Sequence, residues 1–268
     1  MSEGAIARRF RSRATQGQAA LVPYVCAGFP DLERSRAVLD AVVNAGADVV
    51  EVGVPFSDPL ADGPIIQEAS FRALEGGITP RQVLELVADF RSRHDVPVVL
   101  FTYLNPLLRM GPETFLPEVR SAGADGLLLT DLPAGGDPDL EARIEDAGLD
   151  SIRLVAPTTP PERRRTILQR ARGFVYYISR TGVTGLGSGL RGEVAQEVEA
   201  LRAESNLPVA VGFGISSPED AAQVAAVADG VVVGSALVRA LDEEGVEGAG
   251  RFLASVRKAM DSARAKGA

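Results

Sequence analysis

Short apolar runs recur along the whole chain, and each is separated from the next by a stretch with helical periodicity. The runs are LVPYVCA (21–27), ADVVEVG (47–53), VPVVLFTY (96–103), DGLLLT (125–130), SIRLVA (151–156), FVYYIS (174–179), LPVAVG (207–212) and DGVVVG (229–234). Most are apolar at successive positions rather than alternate ones, as in strands buried on both faces of a parallel sheet. Strict alternation of strand and helix specifies an α/β architecture. Eight such units in 268 residues point to closure into a (β/α)8 TIM barrel, a fold that occupies about 250 residues. No strand runs directly into a G-x-G-x-x-G turn, which argues against an open dinucleotide-binding sheet. No low-complexity linker divides the chain, so residues 1–268 are expected to form one domain.

The helical stretches carry their own punctuation. Val83, Leu86, Val87 and Phe90 share one face at i, i+3, i+4 and i+7. Ahead of them, Thr79 can act as N-cap, Pro80 suits the first helical position and Gln82 completes a capping box. Thr159, Pro160 and Glu162 repeat this pattern, and Ser217-Pro218 repeats its first half. Gly46 and Gly123 follow helical runs where a left-handed C-cap is needed. At the start, Ile6 and Phe10 lie one turn apart among arginines, which predicts an additional amphipathic N-terminal helix rather than a transit peptide.

Charge and composition remove several functions. The chain has 28 basic and 36 acidic residues, a net charge of −8, opposite to the basic stripe that a nucleic-acid binder needs. Cys26 and His94 are the only cysteine and histidine, so no intrachain disulfide can form and no structural zinc site is expected. Cys26 reads as inert core and His94 as a surface residue. A single cysteine fits a reducing, cytoplasmic setting. No apolar run approaches the length of a membrane span.

Active sites of such barrels lie at the C-terminal ends of the strands and in the loops after them, and three regions stand out there. Glu51 interrupts the apolar second strand, where an unpaired carboxylate is costly unless protonated. The loop behind it, PFSDPLADGP (55–64), is stiffened by three prolines and brings Asp58 and Asp62. Two carboxylates in one pocket can divide proton transfer from substrate orientation. The turns Gly212-Phe213-Gly214 and Gly234-Ser235-Ala236 end the last two strands, where barrels often bind phosphate through glycine amides and a helix N-terminus. The glycine-rich segment 180–189, which includes Thr184 and Gly185, has the character of a lid that excludes water, with Tyr176 just before it.

The run PFSDPLADGP preceded by Glu51, the run SRTGVTG and the paired turns GFGIS and GSA resemble the tryptophan synthase α subunit family, and the resemblance spreads over the whole chain. It implies a lyase that cleaves indole-3-glycerol phosphate to indole and glyceraldehyde 3-phosphate. It implies that Glu51 is the general acid/base, that Asp62 holds the indole N–H, and that Tyr176 lines the pocket beside them. Gly185, Gly214, Gly234 and Ser235 would surround the phosphate, with Thr184 in the lid. Tyr24, Phe101, Leu128, Val155 and Phe213 would line the indole pocket. The resemblance further implies no metal and no cofactor in this chain, and a pyridoxal-phosphate-dependent β subunit as partner in an α2β2 heterotetramer. Apolar Pro55, Phe56, Pro59 and Leu60 in the loop after Glu51, together with the lid, are the expected docking surface. A stand-alone lyase with the same chemistry is the alternative.

Overall fold

The computed structural model describes residues 4–178, 188–212 and 214–265. Among these residues one parallel sheet runs through β1 (Ala20–Cys26), β2 (Val50–Gly53), β3 (Val98–Thr102), β4 (Gly126–Leu129), β5 (Asp150–Ser151), β6 (Arg153–Val155), β7 (Val175–Ile178), β8 (Val209–Gly212) and β9 (Gly230–Val233). Its order is β5-β4-β3-β2-β1-β9-β8-β7-β6. The two ends of that order are halves of one barrel strand. β5 pairs with β4, β6 pairs with β7, and between them Ile152 N–H donates to Leu127 O at 3.0 Å. The segment therefore bridges both neighbours and closes the eight-stranded barrel that the alternation predicts.

Around the barrel lie α2 (Leu32–Asn44), α3 (Pro64–Glu75), α4 (Pro80–Arg93), α5 (Leu104–Met110), α6 (Pro112–Ser121), α7 (Pro138–Asp146), α8 (Pro161–Arg170), α9 (Ser188–Glu204), α10 (Pro218–Ala225) and α11 (Ser235–Ala265), the last interrupted at Gly245. The expected leading helix, α1 (Ala5–Thr15), turns Ile6 and Phe10 into the bottom of the barrel. Phe10 stacks on Phe174 with centroids 5.3 Å apart. Each such buried side chain contributes about 1.5–3 kcal/mol. A larger cluster fills the space between strands and helices, so both strand faces are buried, as the continuous apolar runs require.

Aspartates at the bottom of three strands fix strand positions. Asp48, Asp125 and Asp229 accept the backbone N–H groups of Leu21, Val98 and Val209 at 2.9, 3.1 and 2.9 Å. Each carboxylate thereby satisfies a donor that would otherwise be stranded at a strand entrance. Gly46 and Gly123 adopt φ of +94° and +91° at the helix ends where left-handed caps are expected.

The capping box at α4 forms as read, with Gln82 N donating to Thr79 Oγ1 and Thr79 N to Gln82 Oε1. At α10 the box is completed by Asp220, which the serine-proline pair alone did not reveal. The expected cap at Thr159 does not form. Pro160 is extended because Pro161 follows it, helix α8 starts one residue late, and Thr159 Oγ1 accepts from Ala156 N instead. His94 is half-buried rather than a free surface residue, with Nε2 2.7 Å from Asp40 Oδ1. Cys26 is core as expected, and burial pushes its thiol up to about 12.

Candidate active site

Glu51 lies in β2 between Tyr24 of β1 and Val99 of β3. Strand alternation turns its side chain into the barrel, where it is 1% exposed and lines a cavity at the C-terminal mouth. Its Oε1 has no hydrogen-bond partner among the described residues. Desolvation without a compensating cation favours the neutral acid, and burial raises the Glu51 pKa to about 8. At neutral pH this group is mainly a carboxylic acid, able to give a proton.

Asp62 reaches the same cavity from the loop between β2 and α3. Tyr103 Oη donates to Asp62 Oδ2 at 3.0 Å and accepts from Ala61 N at 3.1 Å. Gln67 Nε2 ties down the loop backbone at Asp62 O, 2.9 Å. Burial raises the Asp62 carboxyl to about 6, while the Tyr103 hydrogen bond pulls the other way. Asp62 is therefore mainly ionised at neutral pH while Glu51 is mainly neutral: one pocket, two carboxyl groups, two protonation states. Tyr103 was not legible as a site residue, because it ends an apolar run and its partner is 41 positions away.

Two tyrosines flank the pair, and each needs a glycine beside it. A Cβ at Gly53 would overlap the Tyr24 hydroxyl, and one at Gly212 would overlap that of Tyr176. Burial and the nearby Glu51 and Asp62 carboxyls raise the pKa of both phenols, so they stay neutral. Tyr24 packs edge-on against Phe101 with centroids 5.4 Å apart.

The cavity measures about 350 Å³ and is lined by Tyr24, Phe101, Tyr176, Thr130, Leu154 and Ile178 in addition to the carboxylates. Two expected pocket residues lie elsewhere. Leu128 belongs to the packed layer inside the barrel, and Thr130, two residues on, is the one that reaches the cavity. Val155 points outward into the core between strands and helices. In β6 the inward position is Leu154, because Ile152 faces the barrel interior and alternation follows from it.

Gly214, Gly234 and Ser235 also line this cavity. Helix α11 starts at Ser235 with no acidic residue in its first turn. Leu237 N and Val238 N both bond to Gly234 O, and the N–H groups of Ser235 and Ala236 have no acceptor among the described residues. The N-terminus of α10 differs: Ser216 N, Ser216 Oγ and Ser217 N all donate to Asp220 Oδ2. Its own carboxylate already occupies that cradle. The start of α11, by contrast, presents backbone N–H groups and a positive dipole end that no carboxylate of this chain already holds. Phe213, Thr184 and Gly185 lie outside the described residues.

A barrel with two buried carboxyl groups and an uncapped helix N-terminus around one small cavity narrows the chemistry without choosing among barrel lyases and isomerases. Comparison with known proteins makes that choice. Residues 10–264 match the family model described as tryptophan synthase alpha chain.

This chain belongs to the tryptophan synthase alpha chain family.

The alpha chain of Synechococcus elongatus is 46% identical over 96% of this chain and 97% of its own length. That of Gluconacetobacter diazotrophicus is 50% identical over 89% and 87%. The crystal structure of the alpha subunit from Legionella pneumophila superposes with a TM-score of 0.90 at 38% identity, covering 97% of this chain and 100% of that one. A Mycobacterium tuberculosis tryptophan synthase structure gives 0.89 at 39%, covering 97% and 99%. Like them, this chain is an α/β barrel, and it is the lyase component of tryptophan biosynthesis.

Proposed function

We propose that Glu51 and Asp62 perform the family's retro-aldol cleavage of indole-3-glycerol phosphate to indole and glyceraldehyde 3-phosphate. The observation that carries this reading is the pair of buried carboxyl groups in one cavity, pushed to about 8 and about 6. The phosphate sits at the α11 N-terminus, on the amides of Ser235 and Ala236 and beside Gly214 and Gly234. The indole ring lies between Tyr24, Phe101, Leu154 and Tyr176. Neutral Glu51 protonates the ring carbon that bears the glycerol chain, which places positive charge on the indole nitrogen. Ionised Asp62 faces that N–H and stabilises the charge. Glu51, now a carboxylate, takes the proton of the glycerol hydroxyl next to the breaking C–C bond. The bond's electrons return to the ring, indole and the aldehyde form, and Glu51 is neutral again. Protons balance on this chain's own side chains, with no metal or cofactor assigned a step. Phe213, Thr184 and Gly185 keep the pocket and lid roles that the resemblance assigns them.

Gly234 supplies a binding test. A Cβ there would sit 3.6 Å from Ile66 Cδ1 and 3.7 Å from Tyr24 Cβ, which is ordinary contact, so Gly234→Val should fold while its branches crowd the anion. Affinity for glycerol 3-phosphate, measured by calorimetry, should fall at least about tenfold, the loss of one charge-assisted hydrogen bond. Unchanged affinity in the folded variant would make this turn purely structural.

The family implies a β-subunit partner. The α2β2 assembly, pyridoxal phosphate on the partner, a cytoplasmic location and a single domain over residues 1–268 are part of the same reading. The loop after β2 is the docking face we favour, with one revision: Pro55 is buried, Phe56 packs on Tyr103 with centroids 5.1 Å apart, and it is Leu60, 92% exposed, that faces outward. Leu108 on α5, 51% exposed, is a second exposed apolar side chain. Because this loop also holds Asp62, docking can couple to catalysis. Steady-state indole release should rise about 5–150-fold when a cognate β subunit is added, the usual range for linked sites. No complex by sedimentation at micromolar concentration, with full activity of the chain alone, would establish the stand-alone lyase instead.

A further inference from the structure

The cavity's described lining contains two carboxyl groups, Glu51 and Asp62, and one cation, Arg239. Arg239 lies four residues after Ser235 on α11, hence on the same helix face and about 6 Å further along the axis. Cα–Cβ bonds in a helix tilt toward its N-terminus, so the Arg239 side chain sets out toward the turn whose amides are free, and it lines the same cavity. The residue is exposed at the rim, where the cavity meets a groove between α3 and α11. Glu68, Asp242 and Glu243 share that groove. Asp242 is engaged by Arg72 at 2.8 Å, and no ion pair joins Arg239 to any carboxylate among the described residues. A phosphate dianion entering this site meets an ionised Asp62 and a chain of net charge −8. Backbone amides alone bring no formal charge to offset either.

We propose that Arg239 is a phosphate-recognition residue that selects the phosphorylated substrate over its unphosphorylated counterpart and draws it to the cavity mouth. The proposal rests on placing the phosphate at the start of α11. An exposed guanidinium acts partly through long-range attraction, so its contribution is sensitive to salt.

The test uses the full chain in complex with a β subunit and compares wild type, Arg239→Gln and Arg239→Lys. At low ionic strength Arg239→Gln should raise KM for indole-3-glycerol phosphate about fivefold, with kcat within about twofold. The ratio of kcat/KM for indole-3-glycerol phosphate over indole glycerol should fall by a similar factor. Both differences should shrink as the Debye length contracts from about 10 Å at 0.1 M to about 3 Å at 1 M salt. Arg239→Lys should restore most of the loss. A Gln variant with wild-type KM and wild-type salt dependence would overturn the proposal, as would a loss confined to kcat. If wild type itself fails to prefer the phosphorylated substrate, the fault lies with the phosphate placement and not with Arg239 alone.

Discussion

Glu51→Gln is expected to fold and to lose about 10²–10⁴-fold in indole release, the usual cost of removing a general acid–base group. Glutamine keeps the volume and can still hydrogen-bond, but it gives no proton to the ring carbon and takes none from the glycerol hydroxyl. No histidine stands in reserve, since His94 lies on the outer layer against Asp40. The same variant has a stability signature that separates chemistry from fold. Burial raises the Glu51 pKa from 4.5 to about 8, so between those values folded wild type holds a proton that the unfolded chain releases. Wild-type stability therefore declines as pH rises through that window. Glutamine carries no such proton, so Glu51→Gln should melt above wild type at pH 9, with the two converging toward pH 5. A variant that melts this way and still turns over at more than half the wild-type rate would remove Glu51 from the mechanism.

Asp62→Asn is expected to lower kcat about 10²–10³-fold, comparable to removing one oriented group that stabilises transition-state charge. Asparagine keeps an oxygen for Tyr103, so the clamp on the loop survives, and what disappears is the negative charge facing the indole N–H. Glycerol 3-phosphate, which the proposed phosphate placement keeps on the α11 amides and away from the indole N–H that Asp62 faces, should bind within about twofold of wild type. The readout is single-turnover cleavage beside calorimetric binding. Equal losses in both would mean that Asp62 organises the whole mouth rather than stabilising charge.

The barrel was legible because short, mostly apolar runs alternate with helical stripes along the chain, and Glu51 was legible because a carboxylate inside such a run has few uses. What sequence could not supply was side-chain direction at the strand ends. Val155 and Leu154 are both apolar, and only the inward setting of Ile152, in the break between β5 and β6, fixes by alternation that Leu154 faces the cavity. Leu128 faces the barrel interior beside Phe101, but it is buried in the inner packing and Thr130, two residues on, is the one that lines the cavity. Tyr103 escaped because its meaning lies in a contact with Asp62 across two loops. Thr159 failed as a cap because consecutive prolines outweighed a local capping signal. Arg239 belongs to an ordinary amphipathic helix until the cavity is seen to open onto it.

The central claim is that a neutral Glu51 and an ionised Asp62 share the work. The pH dependence of kcat/KM for indole-3-glycerol phosphate cleavage tests it most directly. Activity should fall below about pH 6 as Asp62 takes up a proton, and above about pH 8 as Glu51 loses one. The acid limb should vanish in Asp62→Asn. A rate that keeps climbing through pH 8 to a plateau would mean that Glu51 must be ionised before the first step, and would contradict the account.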